Sequence, residues 1–191
     1  MTTNSEILKG DVRHSIAHAT VRAIINAKVA SWERKKGQIF DVFTFLTSAL
    51  AGSSALAFYQ NSVVFQKLIP EYFGLTPIDD ATAKLLITVI SSLPALTIAL
   101  KRALDFAGSA QVANALAAEY KNFEVAFENY LQIIGEKSQV ADEVNDMFLL
   151  DRGSMSNTIQ RDHTNKGSQI YISELKKEQE RLGIGPRDYA L

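Results

Sequence analysis

Between Asp41 and Lys67 the chain carries no charged side chain, a run of 25 residues from Val42 to Gln66. Charged residues make up 21% of the whole chain, so the gap is a segregation of charge and not a general poverty of it. A helix over this run rises about 37 Å, more than the hydrocarbon core of a bilayer (about 30 Å) requires. A soluble bundle of this size rarely contains so long a helix without a charged face. The run therefore predicts a transmembrane helix over residues 39–66. A soluble helical adaptor with a buried apolar hairpin is the weaker reading on the same length argument.

The flanks agree with a membrane span. Trp32, Phe40, Phe43 and Phe45 lie toward one end, and Phe58, Tyr59 and Phe65 toward the other, the spacing of two interfacial belts. The middle, "TSALAGSSALA", is small and weakly polar, and Ser48 with Gly52 forms a small-xxx-small pair, as does Ala51 with Ala55. Small residues let helix backbones approach closely in lipid, where packing drives association. Thr44, Ser48, Gly52, Ser53 and Ser54 are thus candidates for packing between the two spans, for subunit contact, or for lining a narrow water path.

A second apolar block, "LLITVISSLPALTIAL", covers residues 85–100. It is slightly short for a span, and Lys84 and Lys101 can snorkel to make up the deficit, so the second transmembrane helix is placed at 81–102. Pro94 is tolerated in such a helix where neighbouring hydroxyls rescue the freed carbonyl, and Ser91 and Ser92 lie close. Between the blocks, residues 67–80 read as a loop punctuated by Pro70, Gly74 and Pro77. Thr76 is the expected N-cap of the next helix, with Pro77 at its first position and Asp79 as a capping acid.

The remainder is helical by its spacing. Residues 1–38 contain a basic helix over 12–36, with Val12, Ile16, Ala19 and Ala23 on one stripe and Val21, Ile25, Val29 and Trp32 on another. After the second span a long helix is predicted over 103–150. Leu116, Tyr120, Phe123, Phe127, Tyr130 and Ile134 alternate steps of three and four, and Ala141, Val144 and Phe148 resume the register after a polar slot at Lys137. Such a seam belongs to a coiled coil or a helix bundle. This segment is acidic, and it is expected to pack against the basic N-terminal helix. Residues 151–191 read as a polar loop, or weak helix over 152–169, followed by a short helix that ends near Gly183, before Pro186. The fold class is all-α: a two-helix membrane hairpin with an N-terminal amphipathic helix and a long cytoplasmic helical extension.

Lysine and arginine set the orientation. Residues 1–41 hold seven of them, the segment 67–84 holds two against three acids, and Lys101-Arg102 follows the second span. Both termini are therefore expected on the cytoplasmic side, with residues 67–80 outside. No signal peptide is expected, because the polar, acid-containing stretch before the first span is too long for one.

Catalytic chemistry finds little support. No nucleophile elbow, phosphate loop or dinucleotide fingerprint occurs, and Gly183-Ile184-Gly185 follows a helix instead of a strand. There is no cysteine, which excludes disulfides and thiolate metal sites. His14 and His18 have i, i+4 metal-binding spacing, but no third ligand lies near in sequence, so they read as a solvated helix face. His163, alone in a polar stretch, receives no role. No cofactor or metal is expected, and a net charge of -1 gives no reason to expect nucleic acid.

Taken in order, a basic helix ending in "SWERKK", an Ala/Gly/Ser-rich span "FLTSALAGSSALAFY", a short loop, a span with "SSLPALTIALKRAL" and a helix with "ANALAAEYKNFEVAFENYL" make up a recognisable pattern over roughly residues 20–150. This organisation resembles the SLATT family, two-transmembrane proteins associated with bacterial conflict systems. The likeness is one of texture and order, with no catalytic signature to carry over. It implies an effector of the bacterial inner membrane that sits idle, then assembles or opens a pore when a separate sensor or nucleotide-signalling partner detects infection. A membrane scaffold that recruits a soluble partner through its cytoplasmic helices is the alternative. The expected partners are the lipid bilayer, further copies of the chain and that separate signalling protein.

Overall fold

Helical spacing governs every described segment. The computed structural model describes residues 4–60, 69–72, 80–136, 141–162 and 169–185. Among them the elements are α1 (Asn4–Gln60), α2 (Ile69–Tyr72), α3 (Asp80–Leu104), α4 (Phe106–Glu136), α5 (Ala141–Arg161) and α6 (Gln169–Arg181), with no strand. The protein is all-helical, as its periodicity predicts. Two compact units form: unit 1 comprises Met1–Trp32 and Ala110–Leu191, and unit 2 comprises Glu33–Ser109.

Three boundaries differ from the sequence expectation. The N-terminal helix and the first apolar run are one helix of 57 residues, α1, which passes through Gly10 and Gly37 without a break. A glycine costs a helix about 1 kcal/mol relative to alanine, and tertiary burial offsets it. Leu8 is buried in the core, so the helix begins well before Asp11. Gly37 is itself buried, and a Cβ there would lie 3.7 Å from the Phe106 Cβ, an ordinary contact.

The second difference lies at Asp105. Instead of continuing from the second apolar block, the helix turns at this residue, which has φ of +39°. Its carboxylate accepts the Gly108 amide at 3.1 Å, and its carbonyl accepts the Ser109 amide at 3.0 Å. Aspartate is among the few residues that reach left-handed backbone at modest cost, because its side chain bonds locally, and here it caps α4. Gly108 is required by that cap: a Cβ would lie 2.1 Å from the Asp105 Oδ2.

The third difference is a fold-back. Residues 103–150 do not form one helix, because α4 ends at Glu136 and α5 begins at Ala141. The Phe127 and Phe148 rings meet edge-on with centroids 5.6 Å apart, and the Tyr130 hydroxyl donates to Asp151 at 2.6 Å. Along a single straight helix these pairs would stand about 31 Å apart at 1.5 Å per residue. Residues 151–161, expected as loop or weak helix, extend α5 because Met155, Thr158 and Ile159 are buried. In the 67–80 segment α2 adds one turn, while the Thr76–Asp79 cap lies outside the described residues.

Unit 1 holds the main core. Leu8, Val12, Ile16 and Ala19 of α1 meet Tyr120, Phe127, Tyr130 and Ile134 of α4, and Val144, Phe148, Met155 and Ile159 of α5. Each apolar set falls on one stripe of its helix, so three helices close around one core. In unit 2, Phe40 of α1 packs on Phe106 at the start of α4, with ring centroids 5.1 Å apart. Lys101 of α3 pairs with Asp41 of α1 nearby.

Candidate functional site

Two places hold the predicted residues: the apolar helices of unit 2 and the core of unit 1. In unit 2, α1 turns a narrow stripe inward. Thr47 and Ser54 are buried, and Thr44 and Ala51 half-buried, at steps of three and four. On α3, Ile87, Ile90 and Pro94 are half-buried and Thr97 buried at the same spacing. The inner stripes therefore consist largely of small or β-branched residues.

Most of the large apolar side chains along these helices are exposed. Ile39, Val42, Phe43, Phe45, Leu46 and Leu50 of α1 stand out, with Phe45 72% exposed. Leu85, Val89, Leu96, Ile98 and Leu100 do the same on α3. Among the described residues one helical stretch, within Lys84–Gly135, is long and apolar enough to cross a membrane, and only 6% of its most apolar window is buried.

The hydroxyls of both helices turn back to their own backbones. Thr44 donates to the Phe40 carbonyl at 2.7 Å, Thr47 to Phe43 at 2.9 Å and Ser48 to Thr44 at 2.7 Å. Ser53 donates to Leu50 at 3.0 Å, Thr88 to Lys84 at 2.9 Å and Thr97 to Pro94 at 2.9 Å. A hydroxyl satisfied this way needs no water. Pro94 leaves the Ile90 carbonyl without its amide, and Ser92 reaches the adjacent Val89 carbonyl, at 2.7 Å, instead.

The five small residues singled out in the first apolar run therefore divide. Ser54 and, in part, Thr44 lie on the inner stripe, whereas Ser48, Gly52 and Ser53 face outward. A Cβ built on Gly52 meets nothing within 4 Å. Among the flanking aromatics, Trp32, Phe43 and Phe45 are exposed and Phe40 is held against Phe106. The side chains of Phe58, Tyr59 and Phe65 lie outside the described residues.

The seam residues of α4 go to the core of unit 1. Tyr120, Phe127, Tyr130 and Ile134 are buried, with Leu116 and Phe123 packed against them. Their partners are α1 and α5 of the same chain. Beside this core is a polar cluster that the periodicity did not reveal. His14, His18, Arg22 and Asn26 recur every four residues along α1, and all four are buried. The expectation that His14 and His18 lie on a solvated face is thereby corrected: α6 covers His18, whose Nδ1 lies 2.7 Å from the Tyr171 hydroxyl. Among the described residues no group of three or more His, Cys, Asp or Glu is arranged to hold a metal.

Asp162, just past the end of α5, gathers this cluster. Its Oδ2 accepts from Arg22 Nη1 at 3.1 Å, Asn26 Nδ2 at 3.1 Å and the Tyr120 hydroxyl at 3.0 Å. The Arg22 guanidinium lies over two rings, 5.7 Å from the centroid of Tyr120 and 5.4 Å from that of Tyr171. Burial pushes both phenols up, while Arg22 pulls each back toward ionisation. Four helical segments thus converge on one buried ion pair with aromatic walls. The desolvation of two buried charges offsets much of their attraction, so such a pair adds little net stability, whereas removing one partner is costly. The available signal was the four-residue recurrence of polar side chains from His14 to Asn26.

No family model, curated protein or solved structure matches this chain.

Proposed function

We propose that unit 2 is a two-span membrane hairpin, and that the chain is a non-enzymatic effector of the bacterial inner membrane which oligomerises to permeabilise or depolarise it when triggered. The exposure of the apolar helices carries this reading. A core helix of a soluble protein is mostly buried, but only 6% of the spanning window here is. Contiguous apolar surface on this scale calls for lipid or protein to cover it. The inward stripe of small residues and the hydroxyls bonded to their own backbones suit a helix pair in hydrocarbon, where unsatisfied polar groups are costly. The defence role and the separate signalling partner rest on the resemblance to the SLATT family.

The test has two parts. The protein is expected to stay in the membrane pellet after carbonate washing, as two spans hold far more strongly than peripheral attachment. Its triggered or overexpressed form is expected to admit an impermeant dye or collapse the membrane potential. Release into the supernatant would overturn the hairpin. Firm insertion without flux would favour the scaffold reading over the pore.

A further inference from the structure

Along one face of α1 in unit 2 runs a groove of about 450 Å³, lined by Lys35, Gln38, Ile39, Val42, Phe43 and Leu46. Its volume is in the range of small-molecule sites. Its chemistry is graded along the helix: a cation, then an amide, then four apolar side chains. No acid lines it. We propose that this groove seats an anionic phospholipid, with the headgroup phosphate on the Lys35 ammonium and an acyl chain along Ile39, Val42, Phe43 and Leu46. The proposal rests on the membrane reading above and names a component of that membrane.

Charge complementarity and depth both favour this occupant. The adjacent Lys36 is engaged by Glu33 at 2.7 Å, and Lys101 by Asp41. Lys35, by contrast, has no carboxylate within ion-pair distance among the described residues and is exposed. Lys35 stands about one helical turn, roughly 5.4 Å, before Ile39, where the apolar lining begins. The polar layer on each side of a bilayer is about 5–7 Å thick, the difference between its full and hydrocarbon thickness shared between two faces. With Ile39 at the edge of the hydrocarbon, the ammonium therefore lies at phosphate depth, and Phe43 and Leu46 lie among the acyl chains. A lone, exposed ammonium next to a negatively charged surface draws anionic lipid by an increment equal to about a fivefold preference.

The test uses the full chain in vesicles. Trp32 is the single tryptophan, so Trp32→Phe with Phe43→Trp moves the fluorophore into the groove. Quenching by brominated phosphatidylglycerol and by brominated phosphatidylcholine then gives the relative occupancy of the site. The expected result is about a fivefold preference for the anionic lipid, falling to near one in Lys35→Gln and retained in Lys35→Arg. Equal quenching by the two lipids in the Lys35 protein overturns the proposal. So does a preference that Lys35→Gln leaves unchanged, which would assign it to the general surface field. No quenching by either lipid overturns the membrane reading itself, an outcome distinct from the other two.

Discussion

Asp162 accepts three side-chain hydrogen bonds on one oxygen, and the Arg22 side chain paired with it is only 3% exposed. Removing the carboxylate leaves a guanidinium buried without its counter-charge, a change that costs roughly 3–5 kcal/mol. Asp162→Ala is therefore expected to be among the most destabilising single changes in unit 1. Replacing both partners, Arg22→Met with Asp162→Leu, removes the stranded charge, and this double variant is expected to lose less than Asp162→Ala alone. Denaturant unfolding in detergent, followed by circular dichroism, measures both. A double variant as unstable as the single one would show that the Asn26 and Tyr120 contacts, and not the stranded charge, set the cost. Tyr130 makes a separate, pH-dependent prediction. Burial, reinforced by the hydrogen bond to the Asp151 carboxylate, pushes its phenol up to about 12. The ordinary tyrosine value is about 10, so the folded state holds this proton more tightly than the unfolded chain. Its contribution is complete below about pH 10 and is lost as pH rises toward about 12. Tyr130→Phe is expected to lower stability at neutral pH by about 1–2 kcal/mol and to flatten the alkaline decline. Tyr120 and Tyr171 shift in the same direction, so some decline persists. An alkaline profile in the Phe variant parallel to the original would remove Tyr130 from the account.

At the scale of elements, spacing was a sound guide to which residues are buried and a poor one to where helices stop. The three-four alternation from Leu116 to Ile134 places the core of α4, and Val144 and Phe148 of α5 are buried too. A register alone does not distinguish a helix that continues past Lys137 from one that turns back, since either course buries the same stripe. The expectation of a solvated face at His14 and His18 fails for a related reason, as the stripe they begin, with Arg22 and Asn26, is buried. Its partners, Asp162 and Tyr171, lie more than 130 positions away in sequence, and helical periodicity has no term for them. The apolar run of α1 was legible as a block, but the face its small residues present was not. Thr47 and Gly52 now separate two roles. Thr47 is buried within unit 2, so Thr47→Leu is expected to overpack the inner stripe at a cost of about 1–3 kcal/mol. Gly52 is exposed with open space about it, so Gly52→Leu is expected to leave unit 2 intact. Where the outward face joins copies of the chain, the added bulk prevents close approach, and assembly and membrane leakage fall together while expression persists. Crosslinking in membranes, with a flux assay on the same cells, reads both. Full assembly and full leakage in Gly52→Leu would remove this face as a subunit contact and favour the scaffold.

At the scale of the whole molecule, the distribution of charge and apolar surface bears on which side of a membrane each part of the proposed hairpin would occupy. The exposed apolar side chains concentrate on α1 beyond Trp32 and on α3, within unit 2. Unit 1 instead closes a core of apolar side chains and ion pairs. Positive residues cluster before the first apolar run and after the second, with few in the segment between. For the proposed hairpin, the positive-inside rule leads us to expect both ends of the chain on the cytoplasmic side and the segment containing α2 on the outside. The absence of cysteine makes this directly testable, because any introduced thiol is the sole reactive one. Glu71 and Glu143 are exposed, one in α2 and one in α5. Glu71→Cys is expected to react with a membrane-impermeant maleimide in intact spheroplasts. Glu143→Cys is expected to react only after permeabilisation. Labelling of both sites from outside with the membrane intact would mean that the two apolar helices do not form a hairpin. Labelling of Glu143→Cys alone would keep the hairpin but reverse it, leaving the charge argument to fail while the exposure of α1 and α3 still calls for lipid.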